Sequence, residues 1–417
     1  MSSTSQVNVL MVGSGEYTTG YVHGAAAKSD KGAGVVALTL FDLRRRGLVD
    51  RLSMAGTNGT KFPGIRSHLQ QVIADRYHGM EIAFESFPSD TVPSDPDAYH
   101  AAIRSLNPGD VVTVFTPDDL HLDIAVAAVE HGCHVLVAKP LVKTIREHQR
   151  LISAAQTHNC LVAVEVHKRW DPLYADARDR IRSLGDFSYF TSYMSQPKSQ
   201  LSTFSAWAGK SSDISYYLNT HHIDFHLWAL SGIARPLHVS AVAAQGWAVG
   251  QSIPTEDTIS LQVEFEHLNS SSRGVAIYTA SWIAPRSDVH SQQRFFYLGH
   301  QGEIQVDQAH RGYSTATDDS GFASINPLFM KYTPSPTGEF AGQLGYGYRS
   351  IEAFVQAANA IRAGHKLPSD FHDELATAHR TLAVTAVLEA GRLSLDNDGR
   401  RVTIDYDEDG QVLLLRF

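Results

Sequence analysis

The chain has 417 residues, of which 43% are hydrophobic and 19% charged, a composition typical of a globular protein with more than one hydrophobic core. A formal net charge of −9 gives no general attraction to nucleic acid or anionic lipid, and no apolar run approaches the ~20 residues of a membrane span. Cys133 and Cys160 form neither a disulfide framework nor a paired metal-ligand spacing, so we expect a cytoplasmic protein without a metal. Together with the length and composition, this predicts a two-domain enzyme.

A strand, a glycine turn and a helix are predicted at the start of the chain. Val7–Val12 is a short apolar run with a β-branched bias, which is typical of a buried strand. A turn with Gly13 and Gly15 follows, and a helical pattern is predicted over residues 21–26. In this context Gly13 permits the tight turn, and Gly15 lets the backbone approach a pyrophosphate. Thr18 stands where the third glycine of such a motif usually lies.

Gly34–Asp42 is predicted to be the second buried strand, and it ends in an acidic residue. Asp42 lies ~20 or more residues past the glycine turn, where a carboxylate should bind the hydroxyls of the adenosine ribose. Arg44 and the two arginines after it could equally hold a 2′-phosphate. The acid favours NAD and the arginines favour NADP, so NADH and NADPH are both possible cofactors.

Strands and helices then alternate up to about residue 165. The predicted strands are Met80–Phe84, Asp110–Phe115, His134–Ala138 and Cys160–Val166, and the intervening helices are Ile65–Arg76, Tyr99–Leu106, Leu120–His131 and Ile145–His158. The strands are continuously apolar rather than alternating, which predicts a doubly wound parallel sheet. Residues 1–165 are therefore predicted to form a dinucleotide-binding Rossmann domain.

The pattern changes in residues 166–417, where several strands alternate polar and apolar residues as half-exposed antiparallel strands do. The predicted strands are Phe187–Met194, Leu237–Gln245, Asp257–Glu266, Gly274–Trp282, Arg294–Tyr297 and Val402–Asp405. The predicted helices are Pro172–Leu184, Tyr348–Ala363 and Leu375–Ala390, the last two ending at Gly364 and Gly391. This predicts an α+β substrate-binding domain with a large open, mostly antiparallel sheet. Its exposed face favours a homodimer or homotetramer.

Polar residues that follow parallel strands are the first candidates for a site, because ligands bind outside the carboxyl ends of such strands. Lys139 comes directly after an apolar strand, where burial would lower the pKa of its amine and suit it to donate a proton to a substrate oxygen. The alternative is an exposed loop lysine. Thr116, Pro117 and His121 follow the preceding strand.

A second concentration of polar residues is YYLNTHHIDFH, residues 216–226. On a helix His221 shares a face with Tyr217 and Asp224, and a carboxylate beside a histidine fixes its tautomer for proton transfer. His222 and His226 have the i, i+4 spacing of metal ligands, but no third ligand is evident. A buried polar helix with structural histidines is the other alternative.

These segments together resemble the glucose-fructose oxidoreductase/inositol dehydrogenase (Gfo/Idh/MocA) family over nearly the whole chain. The resemblance rests on VNVLMVGSGEYTTG, DVVTVFTPDDLHLDIAVAAVEHGCHVLVAKPL, EVHKRWDP, NTHHIDFHLWALSG and GYRSIEAFVQAANAIRAG. It implies that Lys139 is the catalytic lysine, that Pro117, His121 and Pro140 shape the nicotinamide pocket, and that His221 transfers a proton.

Two positions depart from the family pattern. Ala138 replaces the glutamate that customarily precedes the lysine, and Tyr217 stands where the family carries an aspartate four residues before the histidine. Either Tyr217 or Asn219 then takes over substrate binding, or the substrate differs from that of the inositol dehydrogenases.

Within the family, the opening MVGSGEYTTG and the Ala-Lys-Pro motif are similar to fungal D-galacturonate reductases, which implies reduction of D-galacturonate to L-galactonate by NADPH or NADH. A uronate needs a cation for its carboxylate, and the candidates are Lys168, Arg169 and Arg286. The alternatives are an NAD-dependent polyol, inositol or aldose dehydrogenase and an inactive cofactor-binding regulator. Lys139 and His221 argue against the regulator.

The predicted catalytic residues are Lys139, His221 and Tyr217. The predicted cofactor-binding residues are Gly13, Gly15, Glu16, Tyr17, Thr18, Asp42, Arg44, Thr116, Pro117, His121, Lys139 and Pro140. The predicted substrate-binding residues are Lys139, Lys168, Arg169, Asn219, His221, His222, Asp224 and Arg286. The expected partner is a small sugar or sugar acid, with no nucleic acid or membrane.

Overall fold

The computed structural model describes residues 6–27, 31–319 and 321–417 and divides into two compact units. Unit 1 comprises Met1–Leu141, Gln149–His167 and Pro327–Arg380, and unit 2 comprises Val142–His148, Lys168–Asn326 and Thr381–Phe417. This division differs from the single predicted boundary after residue 165, because a later segment of the chain belongs to unit 1.

The described helices and strands are as follows. The α-helices are α1 (Glu16–Thr19), α2 (Val36–Arg45), α3 (Phe62–Leu69), α4 (Ala98–Arg104), α5 (His121–Glu130), α6 (Ile145–Thr157), α7 (Pro172–Ile181), α8 (Lys198–Phe204), α9 (Thr220–Ala229), α10 (Trp247–Gly250), α11 (Tyr346–Arg362) and α12 (Ala378–Leu395). The strands are β1 (Val7–Val12), β2 (Tyr21–Val22), β3 (Ala25–Ala26), β4 (Val49–Ala55), β5 (Glu85–Phe87), β6 (Val111–Val114), β7 (His134–Ala138), β8 (Val162–Glu165), β9 (Phe187–Pro197), β10 (Ala234–Ala244), β11 (Thr258–His267), β12 (Arg273–Ala284), β13 (Gln292–Gly299), β14 (Gly302–Asp307), β15 (Ser314–Thr317), β16 (Gly321–Ser324), β17 (Val402–Tyr406) and β18 (Val412–Arg416). Short 3-10 turns lie at Gly59–Lys61, Asp118–Leu120, His167–Trp170 and Pro368–Phe371, and π-helical turns lie at Gln70–Ala74 and Ser215–Asn219.

Unit 1 is built on a six-stranded sheet with the order β5-β4-β1-β6-β7-β8. Every pair of neighbouring strands in it is parallel. All six residues of β1 and all four of β6 are buried, as expected for strands covered on both faces. The predicted Rossmann sheet is therefore confirmed.

Two secondary-structure predictions at the start of unit 1 are wrong. Residues 21–26 form the short β2–β3 hairpin rather than a helix, and Gly34–Asp42 falls mostly within helix α2 rather than a strand. Eight of the ten residues of α2 are buried, so its sequence reads as a continuous apolar run with no helical periodicity. The strand beside β1 is β4 instead. The strand predicted at Met80–Phe84 begins only at Glu85.

Helix α11, from the later part of the chain, belongs to unit 1 through buried polar contacts. Arg362 forms a salt bridge with Asp110, a fully buried carboxylate that also accepts hydrogen bonds from Asn8. The side chain of Asn359 accepts from the backbone of Val7 and donates to the carbonyl of Leu48. These bonds satisfy backbone N–H and C=O groups at the amino ends of β1 and β4 that would otherwise be unpaired.

Unit 2 is built on an eight-stranded sheet with the order β14-β13-β9-β12-β11-β10-β17-β18. Only the β9–β12 pair is parallel, so the predicted open, mostly antiparallel sheet is confirmed. The prediction did not include β14 or β18. Gly391 does not end α12: a Cβ there would lie 2.6 Å from Leu261, so this glycine permits close packing of helix on sheet. No helix among the described residues has both the length and the apolar character needed to cross a membrane.

Candidate functional site

The loops that follow the parallel strands of unit 1 lie at one edge of its sheet. Gly13–Gly15 follows β1, Thr116–Pro117 follows β6, and Lys139–Pro140 follows β7. The strand order reverses between β1 and β6. In doubly wound sheets the carboxyl edge at such a reversal is the place where ligands bind.

The two glycines after β1 have different environments. Gly13 has φ +104°, its N–H donates to the carbonyl of Ala55 (2.9 Å), and a Cβ on it would lie 2.2 Å from the carbonyl oxygen of Phe115. Only glycine fits there. Gly15 precedes α1, and a Cβ on it would meet no protein atom within 4 Å. The first N–H groups of α1 have no partners within that helix, so the open space over Gly15 fits a pyrophosphate.

The residues after Gly15 form one helical turn rather than a long helix. The ring of Tyr17 stacks on that of Phe115, with centroids 5.3 Å apart, and Thr18 is buried. A Cβ on Gly34 would lie 2.4 Å from the carbonyl oxygen of Thr18. The close approach that the third glycine of the motif usually permits is therefore provided by Gly34. Glu16 is the first residue of the turn.

Asp42 does not occupy the position predicted for it. It lies in the last part of α2 and is fully buried. Its carboxylate accepts hydrogen bonds from Tyr348 (2.7 Å), Gln343 (3.1 Å) and Arg45 (2.7 and 2.9 Å). The assignment of Asp42 to the adenosine ribose is corrected, because it does not end a strand and its oxygens bind protein donors.

Arg44 is also displaced from the cofactor edge. Its guanidinium donates to the carbonyls of Ala83 and Glu81, each at 2.7 Å. It lines a cleft with Asn8 and Arg51, which lie in the first halves of β1 and β4. The amino and carboxyl ends of parallel strands lie at opposite edges of a sheet, so Arg44 is not placed to bind a cofactor phosphate.

Residues 56–58, which follow β4, occupy the place where a ribose-binding acid was expected. They are Gly56, Thr57 and Asn58, none of which is charged. A Cβ on Gly56 would lie 3.1 Å from the Oγ of Ser14, so this segment passes close to the glycine turn. The sequence alone does not indicate this segment, because the apolar run of α2 has the composition of a buried strand.

His121 connects the loops after β6 and β7. Its ring is fully buried, with Nδ1 2.9 Å from the carbonyl oxygen of Pro140 and Nε2 3.0 Å from that of Thr116. The Oγ1 atoms of Thr18 and Thr116 are buried without a hydrogen-bond partner in the described part of the chain. Pro117 lies between the two ends of this loop and is exposed. Open space over Gly15 and unsatisfied hydroxyls in neighbouring loops fit a bound dinucleotide.

Lys139 directly follows β7 and is half-buried. Burial lowers the pKa of its ammonium to about 8, while the negative charges of Asp118 and Glu165 act to raise that pKa. Glu165 is itself buried, pairs with Ala138 across β7 and β8, and accepts a hydrogen bond from Ser350 (2.7 Å). An amine in this range can give and take a proton near neutral pH. Sequence reasoning did not select Glu165, although its position at the end of a strand was visible.

Lys168 lies inside unit 2 and is 1% exposed. Its Nζ donates to the side chains of Gln293 (2.5 Å), Gln308 and Tyr174 (3.3 Å), and burial lowers the pKa of this lysine to about 7. Its proposed role in binding a substrate carboxylate is corrected, because its donors are directed to protein acceptors.

Three other predicted substrate residues in unit 2 also bind protein groups. Arg169 forms a two-pronged salt bridge with buried Asp224, with N–O distances of 2.9 and 2.6 Å. Nε2 of His222 lies 2.9 Å from the hydroxyl of Tyr174, and burial places the pKa of His222 well below its usual value. These contacts make Arg169, His222 and Asp224 parts of a buried network rather than free substrate ligands.

His221, Asn219 and Tyr217 remain on one helical stretch of unit 2. His221 is the second residue of α9 and is 6% exposed, and Asn219 donates to the Oγ of Ser215 (3.0 Å). Tyr217 is half-buried and contacts other aromatic rings. Arg286 follows β12 and is exposed.

The structure thus collects the predicted residues in two separate sets. Gly13, Gly15, Glu16, Tyr17, Thr18, Thr116, Pro117, His121, Lys139 and Pro140 gather at the carboxyl edge in unit 1. Tyr217, Asn219 and His221 share a helical stretch in unit 2. Within the described ranges, no three histidine, cysteine or carboxylate side chains group as metal ligands would.

Comparison with known proteins also indicates a cofactor site in the Rossmann sheet of unit 1. Residues 7–166 match the Gfo/Idh/MocA model, described as "Oxidoreductase family, NAD-binding Rossmann fold". The scyllo-inositol 2-dehydrogenase (NADP(+)) IolW of Bacillus subtilis is 27% identical over 315 residues, which is 71% of this chain and 79% of that protein. The levoglucosan dehydrogenase of Pseudarthrobacter phenanthrenivorans is 30% identical over 28% of this chain and 30% of its own length.

Solved structures share the fold. The scyllo-inositol dehydrogenase of Lactobacillus casei with bound NAD(H) and scyllo-inositol has a TM-score of 0.61 at 14% identity, covering 95% of this chain and 99% of its own. The myo-inositol 2-dehydrogenase of Lactobacillus plantarum has a TM-score of 0.63 at 15% identity, covering 96% and 100%. Together with the glycine turn and the lysine after β7, these matches identify residues 7–166 as an NAD-binding Rossmann domain similar to that of the Gfo/Idh/MocA oxidoreductases, and the chain as an NAD(P)-dependent oxidoreductase.

Proposed function

We propose that this oxidoreductase transfers hydride between NAD(P) and a CH–OH or carbonyl carbon of a polyhydroxylated ring, a cyclitol or a sugar. The observation that carries the proposal is Lys139, an amine at the carboxyl edge of the Rossmann sheet whose pKa burial lowers to about 8. The scyllo-inositol 2-dehydrogenase that aligns with 71% of the chain supports the ring substrate.

In this proposal the bound nicotinamide supplies or accepts the hydride. Lys139 hydrogen-bonds the reacting oxygen, polarises it in reduction and takes its proton in oxidation. His221 is the alternative to Lys139 as the proton-transfer group. His121 acts by holding the loops after β6 and β7 through the carbonyls of Thr116 and Pro140, which fixes the position of Lys139.

The end of β4 favours NADPH over NADH. An acid at this position hydrogen-bonds the 2′-hydroxyl of NAD and repels the 2′-phosphate of NADP. Gly56, Thr57 and Asn58 carry no charge, and Lys61 lies three residues further on. We propose NADPH as the better cofactor on this ground.

A second candidate is the reduction of D-galacturonate to L-galactonate. Of the three cations considered for the uronate carboxylate, Lys168 and Arg169 bind protein groups, and Arg286 is the exposed one. An exposed guanidinium can bind a carboxylate with two hydrogen bonds. This candidate therefore depends on Arg286 alone.

The outer face of the sheet in unit 2 supports self-association. Tyr189, Tyr193, Ile277, Phe296 and Leu298 lie on it and are half-buried. An apolar sheet face of this kind is commonly covered by a second copy of the chain. We propose a homodimer or homotetramer through this face, working in the cytoplasm, where the buried thiols Cys133 and Cys160 stay reduced.

Replacing each glycine of the turn after β1 should have a different effect. Gly15→Ala fills the open space over α1 and should weaken NADPH binding about tenfold, equivalent to ~1.4 kcal/mol, without changing the thermal midpoint. Gly13→Ala meets the Phe115 carbonyl and should destabilise unit 1 by about 1–3 kcal/mol. Calorimetry measures the thermal stability of both variants, and fluorescence titration measures their affinity for NADPH. Unchanged NADPH affinity in Gly15→Ala would contradict the assigned site.

The pH dependence of turnover should report Lys139. Reduction needs the protonated amine, so its rate should fall as pH rises through about 8, and oxidation should rise over the same range. Glu165→Gln removes a negative charge that raises this pKa, so both transitions should move to lower pH. Glu85→Gln, at an exposed residue of β5, is the matched control and should leave them in place.

If the pH transitions were the same in Glu165→Gln and the wild type, Glu165 would not act on the reacting amine.

Lys139→Ala should abolish turnover while NADPH binding persists. Loss of NADPH binding with turnover retained would exclude the role given to Lys139.

A substrate panel distinguishes the candidate functions. The absorbance of NADPH and NADH should be followed with galacturonate, glucuronate and xylose, and cofactor reduction with scyllo-inositol, myo-inositol and glucose. We expect oxidation of a cyclitol or neutral sugar with NADP. Activity on galacturonate alone, lost in Arg286→Ala, would establish the reductase instead. Cofactor binding with no turnover of any compound would indicate an inactive regulator.

Sedimentation should show whether the outer sheet face joins two copies. The wild type should sediment as a dimer or tetramer, and Phe296→Glu should sediment as a smaller species. Phe322→Glu, on the exposed β16 strand, is the control and should leave the assembly unchanged. A monomeric wild type would refute the proposed assembly.

A further inference from the structure

Four aromatic side chains of unit 2 form an aromatic cluster: Phe204, Trp207, Tyr217 and Trp282. The ring centroids of Phe204 lie 5.1 Å from those of Trp207 and Tyr217. Trp207 and Tyr217 are 5.4 Å apart, and Trp282 stacks on Tyr217 at 5.8 Å with an interplanar angle of 19°. These separations are in the range in which aromatic rings attract one another.

The cluster lies beside the histidine assigned to proton transfer. Tyr217 is in the π-helical turn Ser215–Asn219, which runs directly into α9, and His221 is four residues further on. Residues separated by four positions on a helix share a face. An aromatic ring therefore lies on the helix face that carries His221.

Two rings of the cluster are partly open to ligand and two support them. Trp282 is fully buried and Phe204 is 8% exposed, whereas Trp207 and Tyr217 are half-buried. The indole Nε1 of Trp282 is buried and has no hydrogen-bond partner among the residues that the structure describes. Trp282 therefore supports the ring of Tyr217, on which it stacks, and the ligand contacts are left to Tyr217 and Trp207.

Contacts to its backbone hold the segment that carries Trp207 in place. Gly209 has φ +69°, and a Cβ there would lie 1.9 Å from the carbonyl oxygen of Pro254. Nζ of Lys143 donates to the carbonyl of Ser211 (2.7 Å), and Asp213 accepts from the N–H groups of Ser215 and Tyr216. A binding surface fixed before the ligand arrives loses less entropy on binding.

We propose that Tyr217 and Trp207 form a stacking platform for the C–H face of a six-membered polyhydroxylated ring. Tyr217 thus determines specificity by its ring, which selects cyclic cyclitols and pyranosides over open-chain polyols, and its hydroxyl transfers no proton. The proposal rests on the proposed function only in taking the ring compound to be the substrate.

Three variants of Tyr217 test the platform with scyllo-inositol and methyl β-D-glucopyranoside as ring probes and sorbitol as the open-chain probe. Tyr217→Ala should raise KM for the ring probes about tenfold and change kcat much less, because stacking contributes binding rather than proton transfer. Tyr217→Phe should restore most of the lost affinity. Tyr217→Asp should lose ring affinity as Tyr217→Ala does. Tyr313→Ala, at an exposed tyrosine elsewhere in unit 2, is the control.

A second measurement does not need turnover. Quenching of tryptophan fluorescence by the ring probes, absent with sorbitol and lost in Tyr217→Ala, supports the platform even if no compound is oxidised. A fall in kcat in Tyr217→Phe as large as in Tyr217→Ala would overturn the proposal in favour of proton transfer by the hydroxyl. Turnover of the ring probes with KM unchanged in Tyr217→Ala would overturn it while leaving the proposed function intact.

Discussion

The close approach of the turn after β1 to the end of β6 is the constraint on which the cofactor edge depends. Gly13 reaches the Phe115 carbonyl only because it has no Cβ and accepts a positive φ. The same turn is hydrogen-bonded to Ala55 at the end of β4. One residue therefore permits the ends of three parallel strands to lie close together.

Burial of charge decides which polar residues remain available for chemistry. Asp42, Lys168 and Asp224 are all nearly or fully buried, and each is surrounded by protein groups that satisfy it. A buried charge that is not paired is strongly destabilising, so these networks hold their units together and cannot easily be opened for a ligand. Lys139 is half-buried, and the carboxylates near it only partly offset the effect of lost hydration on its pKa.

The sequence predicts the parallel sheet and the residues that end β6 and β7, because apolar runs stop sharply at Thr116 and Lys139. It fails at α2, because a helix buried on nearly every side has the same apolar composition as a buried strand. Because of that error, the ribose contact is predicted at Asp42, and residues 56–58 are not selected. Tertiary contacts also decide which cations bind protein groups and which are exposed. The local sequence does not distinguish Lys168 from Arg286 in this respect.

Part of the negative charge near Lys139 comes from a residue on the neighbouring strand. Ala138, which precedes this lysine, carries no charge, but Glu165 lies directly opposite Ala138 in the neighbouring strand. Because adjacent parallel strands are about 4.8 Å apart, this carboxylate lies close enough to the end of β7 to act on the ammonium of Lys139. Glu165 raises the pKa of Lys139 against the effect of burial, and its hydrogen bond to Ser350 fixes its orientation. The pairing of β7 with β8 therefore supplies a negative charge that, together with Asp118, opposes the effect of burial on the pKa of Lys139.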